Sequence, residues 1–216
     1  MKIYQHPDVT QLRQFYGDLL YETRNYPEVA GHLSAIAERM LQGLQSGNAV
    51  IFKEISNNHP EHLGKTVEEL KQRQWTLKDC RTTIACEYGF PDWNAVEHYE
   101  AEYDPDFEAA VNHLLDGNYE AFQIKLEQTP ELVNRKSSYG HRATLLHYVA
   151  SNAVELWRQQ VPANLPEMTQ LLLQSGARAD ATMKAYGSDY TSRELLETSV
   201  HPFKAGVGDQ MLSLLS

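Results

Sequence analysis

The stretch LQGLQSGNAVIFKEISNNHPEHL at 41–63 returns without a gap as VNHLLDGNYEAFQIKLEQTPELV at 111–133. Leu44 falls on Leu114, Gly47-Asn48 on Gly117-Asn118, Phe52 on Phe122 and Pro60-Glu61 on Pro130-Glu131. The shared pattern has a physical reading: a helix stops at Gly, which takes the left-handed position past its end, and Asn opens the next turn. A second helix follows with one aromatic turned inward, and Pro stops it. A chain that writes one helical hairpin twice is restricted to folds built by packing such hairpins, because a hairpin alone cannot bury its apolar face.

The intervening sequence has the same period. DVTQLRQFYGDLLYETR sets Val9, Leu12, Phe15 or Tyr16, Leu19 and Leu20 on one stripe, with Asp8 as N-cap. A second helix after Pro27 aligns Leu33, Ile36, Ala37, Met40, Leu41 and Leu44 and stops at Gly47. TLKDCRTTIACEYGF stops at Gly89, and PDWNAVEHYEAEY restarts from Pro91 and Asp92. No sustained alternation of apolar and polar residues bounded by turn residues announces a strand. The Asp-Pro break in AEYDPDFEAA (101–110) marks a boundary between two subdomains.

At 216 residues there is room for one large domain or two small ones. Aromatics at 10%, including 12 tyrosines, argue for a packed core. The formal charge of −10 sets the chain against nucleic acid and anionic membrane surfaces as partners. No apolar run approaches the ~20 residues of a membrane span, and MKIYQHPDVTQLRQF lacks the apolar stretch of a signal peptide. A cytoplasmic protein is expected. Cys80 and Cys86, placed in one helix, lack metal-ligand spacing and would strain a disulfide, so both are expected as reduced, buried thiols.

TLLHYVAS (144–151), followed by MTQLLLQSGARADA (168–181), resembles an ankyrin repeat. Thr144, Leu146, His147 and Ala150 match the family's first-helix motif, and Leu171, Leu172, Gly176, Ala177 and Asp180 match the end of its second helix. Leu145 stands where proline is usual, and Arg178 where aspartate is. The spacing from PELVN to this second motif exceeds the ankyrin period of about 33 residues, an excess taken up by an insertion at 153–166. A further degenerate repeat is read in AYGSDYTSRELLETS, as loop and first helix, and in GVGDQMLSLLS, as second helix. Over about residues 40–205, IACEYGFPDW, PELVN, HRATLLHYVA and TSVHP together resemble a group of bacterial ankyrin-containing proteins with an N-terminal helical region. That group has no assigned reaction, and residues 1–35 lie outside the resemblance. The fold expected is all-α: a helical-hairpin solenoid, with an N-terminal helical subdomain over 1–103 and ankyrin-like repeats over 104–216 stacked on it.

The resemblance implies that Thr144 and His147 hold a structural turn, their side chains occupied by each other and by backbone groups at the helix start. It also implies a concave binding face. Tyr139, His141, Arg142 and Tyr148 are then candidate partner contacts, with Arg142 offering a guanidinium fork and the tyrosines aromatic anchors. Tyr186, Asp189 and Tyr190 extend the patch from the next loop, and Trp157 joins it from the insertion. The function expected is non-catalytic binding of a protein partner. The alternative is an enzyme or small-molecule sensor with a pocket between helical subdomain and repeats, lined by Tyr139, His141, Arg142, Tyr186 and His201. No catalytic motif supports that alternative. Ser199 and His201 in TSVHP do not share a helical face, His59 and His62 straddle a helix end without a zinc framework, and GVGDQ lacks the ending of a phosphate loop. No metal and no cofactor are expected. The apolar helix at 209–215 is a candidate surface for self-association.

Overall fold

The computed structural model describes residues 2–21 and 23–216, and the chain divides into two compact units. One is Thr10–Tyr103; the other joins Asp104–Ser216 to the segment ending at Val9. The division after Tyr103 coincides with the Asp-Pro break. Asp104 is there an N-cap, its carboxylate accepting from the backbone of Asp106 (3.0 Å) and Phe107 (3.1 Å), with Pro105 opening the helix.

The Thr10–Tyr103 unit is built from α1 (Pro7–Tyr16, which begins in the segment before it), α2 (Val29–Gln45), α3 (Ala49–Asn58), α4 (Val67–Leu70), α5 (Leu77–Glu87) and α6 (Trp93–Glu97). α2 packs on α5 and α3. Leu33, Ile36, Met40, Ile51, Ile55 and Ile84 form the centre of its core, all buried. Thr66 and Thr76 start α4 and α5 with reciprocal capping boxes. Two carboxyl groups lie inside this helical packing. Tyr16 donates to Glu54 (2.8 Å) and Asn58 donates to Glu87 (3.4 Å). Burial first, and the charge of Glu87 second, push the Glu54 carboxyl well above the usual carboxylate range, toward its protonated form. Burial likewise pushes the Cys80 thiol up to about 12.

The second unit opens with β1 (Ile3–Gln5) and continues through α7 (Pro105–Leu115), α8 (Tyr119–Gln128), α9 (Leu145–Tyr148), β2 (Gln160–Pro162), α10 (Leu165–Gln174), β3 (Thr182–Ala185), β4 (Ser188–Thr191), α11 (Ser192–Thr198), α12 (His201–Lys204) and α13 (Gly208–Leu214). Its core centres on Phe107, Leu114, Phe122, Leu146, Leu172 and Leu196.

Both copies of the repeated pattern form helix–glycine–helix hairpins, α2–α3 and α7–α8. Gly47 and Gly117 take positive φ (73° and 67°), and Asn48 and Asn118 bond back to Gly43 and His113 (2.9 Å each). The all-α solenoid, however, is overturned. The molecule is mostly helical, with two antiparallel two-stranded sheets among the described residues, and no stack of repeats. The two hairpins belong to different units, and α9 is a single turn rather than a full repeat helix. β1 pairs with β2 in the register Ile3↔Pro162, so the expected insertion contains a strand that holds the start of the chain. β3 and β4 pair from Thr182↔Thr191 to Ala185↔Ser188, forming a hairpin where a loop was expected. The C-terminal helix α13 is turned inward, with Met211 and Leu215 buried in its own unit, and does not offer the free apolar face expected of 209–215.

Candidate functional site

All four residues other than glycine with positive φ among the described residues lie on three neighbouring segments of one unit: Arg142 (55°), Ser151 (48°), Ala153 (60°) and Tyr186 (51°). Left-handed backbone at such residues carries a penalty, of order 1–3 kcal/mol each, and clusters where function or an over-determined scaffold requires it. The scaffold here is explicit.

The first segment is a closed loop. Ser137 donates to the Ala143 carbonyl (2.7 Å), Arg142 to the Tyr139 carbonyl (3.1 Å), and the Ala143 amide to His141 Nδ1 (3.1 Å). Thr144 then starts α9. Its backbone amide donates to His147 Nδ1 (3.0 Å), its hydroxyl lies 2.8 Å from the same nitrogen, and His147 Nε2 donates to the Ala181 carbonyl (3.1 Å). Nδ1 is therefore the acceptor and the ring is neutral. Burial holds its pKa down to about 4. Thr144 and His147 thus occupy each other at the helix start, and the same imidazole fastens the loop to the chain entering β3.

The hairpin is fixed at two further points: the Lys184 amide donates to the His141 carbonyl (2.8 Å), and the Tyr186 hydroxyl donates to Asn152 Oδ1 (2.9 Å). Asn152 in turn donates to the Leu195 carbonyl and to Thr198 (3.0 Å each). The two-residue connection Tyr186–Gly187 has positive φ at both positions (51° and 79°), as a type I′ turn requires. Asn-Gly or Asp-Gly satisfies that turn without strain; tyrosine does not. Tyr186 is nonetheless 72% exposed at the tip, with Tyr190 edge-on at 6.2 Å between ring centroids. Arg142, Lys184 and Asp189 are exposed around it.

Behind this surface lies a buried charged network that the sequence reading missed. Arg158 Nη1 donates to Glu155 (3.0 Å), and Arg158 Nη2 donates to Glu108 on α7. The Tyr148 hydroxyl reaches the same Glu155 oxygen (3.3 Å), and His141 Nε2 lies 3.7 Å from the other. The guanidinium stacks over Trp157 (4.5 Å) and Tyr148 (5.8 Å). Burial pushes Glu155 upward, but Arg158 and His141 outweigh it and hold the carboxyl below its ordinary range. For Glu108, burial prevails over Arg158 and the carboxyl is raised. The network ties α7, the 137–143 loop, α9 and the 155–158 turn together, and it has no open face to receive a substrate.

The eight residues expected to meet a partner thus separate into two groups. Tyr139, His141, Tyr148 and Trp157 are buried, between 0% and 4% exposed. They stand in or against the network and touch no partner in this state, which corrects their expected place on the surface. Arg142, Tyr186 and Asp189 are exposed and Tyr190 is half-buried; the loop and hairpin bring these four to one region. The other candidates scatter. Ser199 donates to the Ser151 carbonyl (3.3 Å), while the His201 ring sits with Tyr4 and His6, so neither the serine–histidine pair nor the five-residue pocket set is assembled there. No group of three or more metal-ligating side chains occurs among the described residues, and no described helix is long and apolar enough to cross a membrane.

No protein-family model, no curated protein and no solved structure matches this chain.

Proposed function

We propose that this chain is a non-catalytic protein-binding module whose partner-facing surface is the β3–β4 hairpin with the adjoining 139–143 loop. The observation that carries the reading is Tyr186: an exposed aromatic in a turn position that asparagine or aspartate would fill at lower energy. A side chain held against local stability, oriented by Asn152 and edge-on to Tyr190, has the composition of an interface anchor. Kinship with ankyrin repeats belongs to the same proposal. It rests on the Thr144–His147 turn and the motif at 171–180 alone. A cytoplasmic location is part of it too, supported by two thiols whose burial keeps them protonated.

The test is cross-linked affinity capture from native cell extract with Arg142→Ala and Tyr190→Ala. The expected result is loss of the captured protein in both variants while each remains folded by circular dichroism. Undiminished capture by both variants would overturn the proposal. Tyr148→Ala is not a suitable probe, because the ring is buried and its loss is expected to cost about 3–5 kcal/mol.

A further inference from the structure

The Thr10–Tyr103 unit holds a second cluster, on the segment after α3, that the partner surface does not involve. His62 is only 5% exposed. Its Nδ1 lies 2.9 Å from Lys65 Nζ, and its Nε2 is in contact with Arg73 Nη1. Both neighbours are cationic donors. A neutral imidazole has one lone-pair nitrogen and one N–H, so it can accept from one of them and must present a proton to the other. A protonated ring would present protons to both. The ring therefore cannot accept from both cations at once, and the exposed Lys65 and Arg73 side chains can take a further acceptor. The surroundings are fixed: Ser56 donates to the Lys65 carbonyl (2.7 Å), Gly64 to the Ser56 carbonyl (3.0 Å), and Trp75 Nε1 to the Leu70 carbonyl (2.9 Å). The Trp75 ring lies under the Arg73 guanidinium (4.4 Å) and edge-on to His62 (5.3 Å).

The carboxylates nearby are committed elsewhere or serve one cation. Asp79 accepts from Arg73 Nη2 (3.1 Å) while capping α5. Glu69 is taken up by its capping box with Thr66. Glu61 contributes an opposing charge to His62. Lys65 makes no ion pair among the described residues. Lys65 and Arg73 thus converge on one imidazole, a set of cationic and N–H donors of the kind that suits a tetrahedral oxyanion. We propose that His62, Lys65 and Arg73 form a binding site for a phosphate group. The anion supplies oxygens that both cations can share and the negative charge that lets His62 protonate.

In the unliganded protein, burial first, then Arg73 and Lys65, hold the His62 pKa below its ordinary value, against the opposing charges of Glu61 and Asp79; the His59 ring lies tilted against the same ring at 4.5 Å between centroids. A phosphate within hydrogen-bonding reach is expected to raise it by about one unit or more. The experiment is an NMR pH titration of the His62 ring, with and without inorganic phosphate, at ionic strength matched with chloride. A second arm uses vesicles carrying phosphatidate. A rise in the His62 pKa with inorganic phosphate, abolished in Lys65→Met/Arg73→Met, supports a site for a free phosphate group. A rise with vesicles alone assigns the phosphate to a lipid headgroup. The His59 resonances report whether the variant keeps the local fold. An unchanged His62 pKa in both arms, or an equal rise in the folded double variant, overturns the proposal.

Discussion

Among the described residues each unit buries two carboxyl groups, and the two units accommodate them differently. In the Thr10–Tyr103 unit, burial and the charge of Glu87 push the Glu54 carboxyl toward its protonated form between regular helices, with Tyr16 donating to it. In the other unit, Glu108 and Glu155 share the Arg158 guanidinium, and the groups that gather round it come from a loop, a short helix and a turn. Every non-glycine residue in left-handed backbone among the described residues lies in that second unit. A proton suffices where helices already fix the geometry. A fixed cation with several donors can hold irregular segments in place, and irregular segments are what present Arg142 and Tyr186 at the surface.

The strongest way to break this contrast is to remove the cation. Arg158→Met leaves Glu108 and Glu155 buried without their partner, and it is expected to destabilise its unit by about 3–5 kcal/mol. Residue-resolved hydrogen exchange should show the loss at Leu146 and Val149, with the Leu33–Met40 core of the other unit keeping its protection. Equal loss in both units would mean that the network is not local to one of them.

A smaller effect separates the units by pH. Glu54 has a raised folded-state pKa, so its contribution is full below its ordinary value and is lost as pH rises through the folded value. Glu54→Gln keeps a proton-like donor at any pH and should gain on the natural protein as pH rises above about 5. His147 runs the other way. Its folded pKa of about 4 lies below the ordinary 6.5, so the unfolded chain binds the extra proton. Its unit then loses stability as pH falls from about 6.5 toward 4, by an amount on the order of 3 kcal/mol at the end of that range. Denaturation of Glu54→Gln and His147→Asn across this range checks both signs. A Glu54→Gln advantage that does not grow with pH, or a His147→Asn deficit that does not shrink in acid, would remove the distinction.

What could be read from the sequence was local. Thr144 and His147 are three residues apart and satisfy each other, so a short motif carries the whole arrangement. Asp104-Pro105 and the Gly47 and Gly117 turns were legible for the same reason. The strands were not. β1 is three residues long, and its partner lies at the far side of the sequence. The β3–β4 turn carries Tyr-Gly in place of the Asn-Gly that signals a hairpin. The network was hidden because Glu108 and Arg158 meet only through the fold. The one trace was ELWR, two charges three apart inside an otherwise uncharged insertion. Tyr139 and Tyr148 were assigned to the surface because an aromatic ring reads equally as interface anchor and as core, and only burial decides between them.

The smallest expected change in stability bears most directly on the central claim, that Tyr186 is held at the hairpin tip for recognition and against stability. Tyr186→Asn places the residue favoured in a type I′ turn at the strained position. Denaturant unfolding should show this variant more stable than the natural protein by up to about 1 kcal/mol, while affinity capture shows its partner lost. A variant that is less stable, or one that binds the partner as well as the natural protein, would contradict the claim.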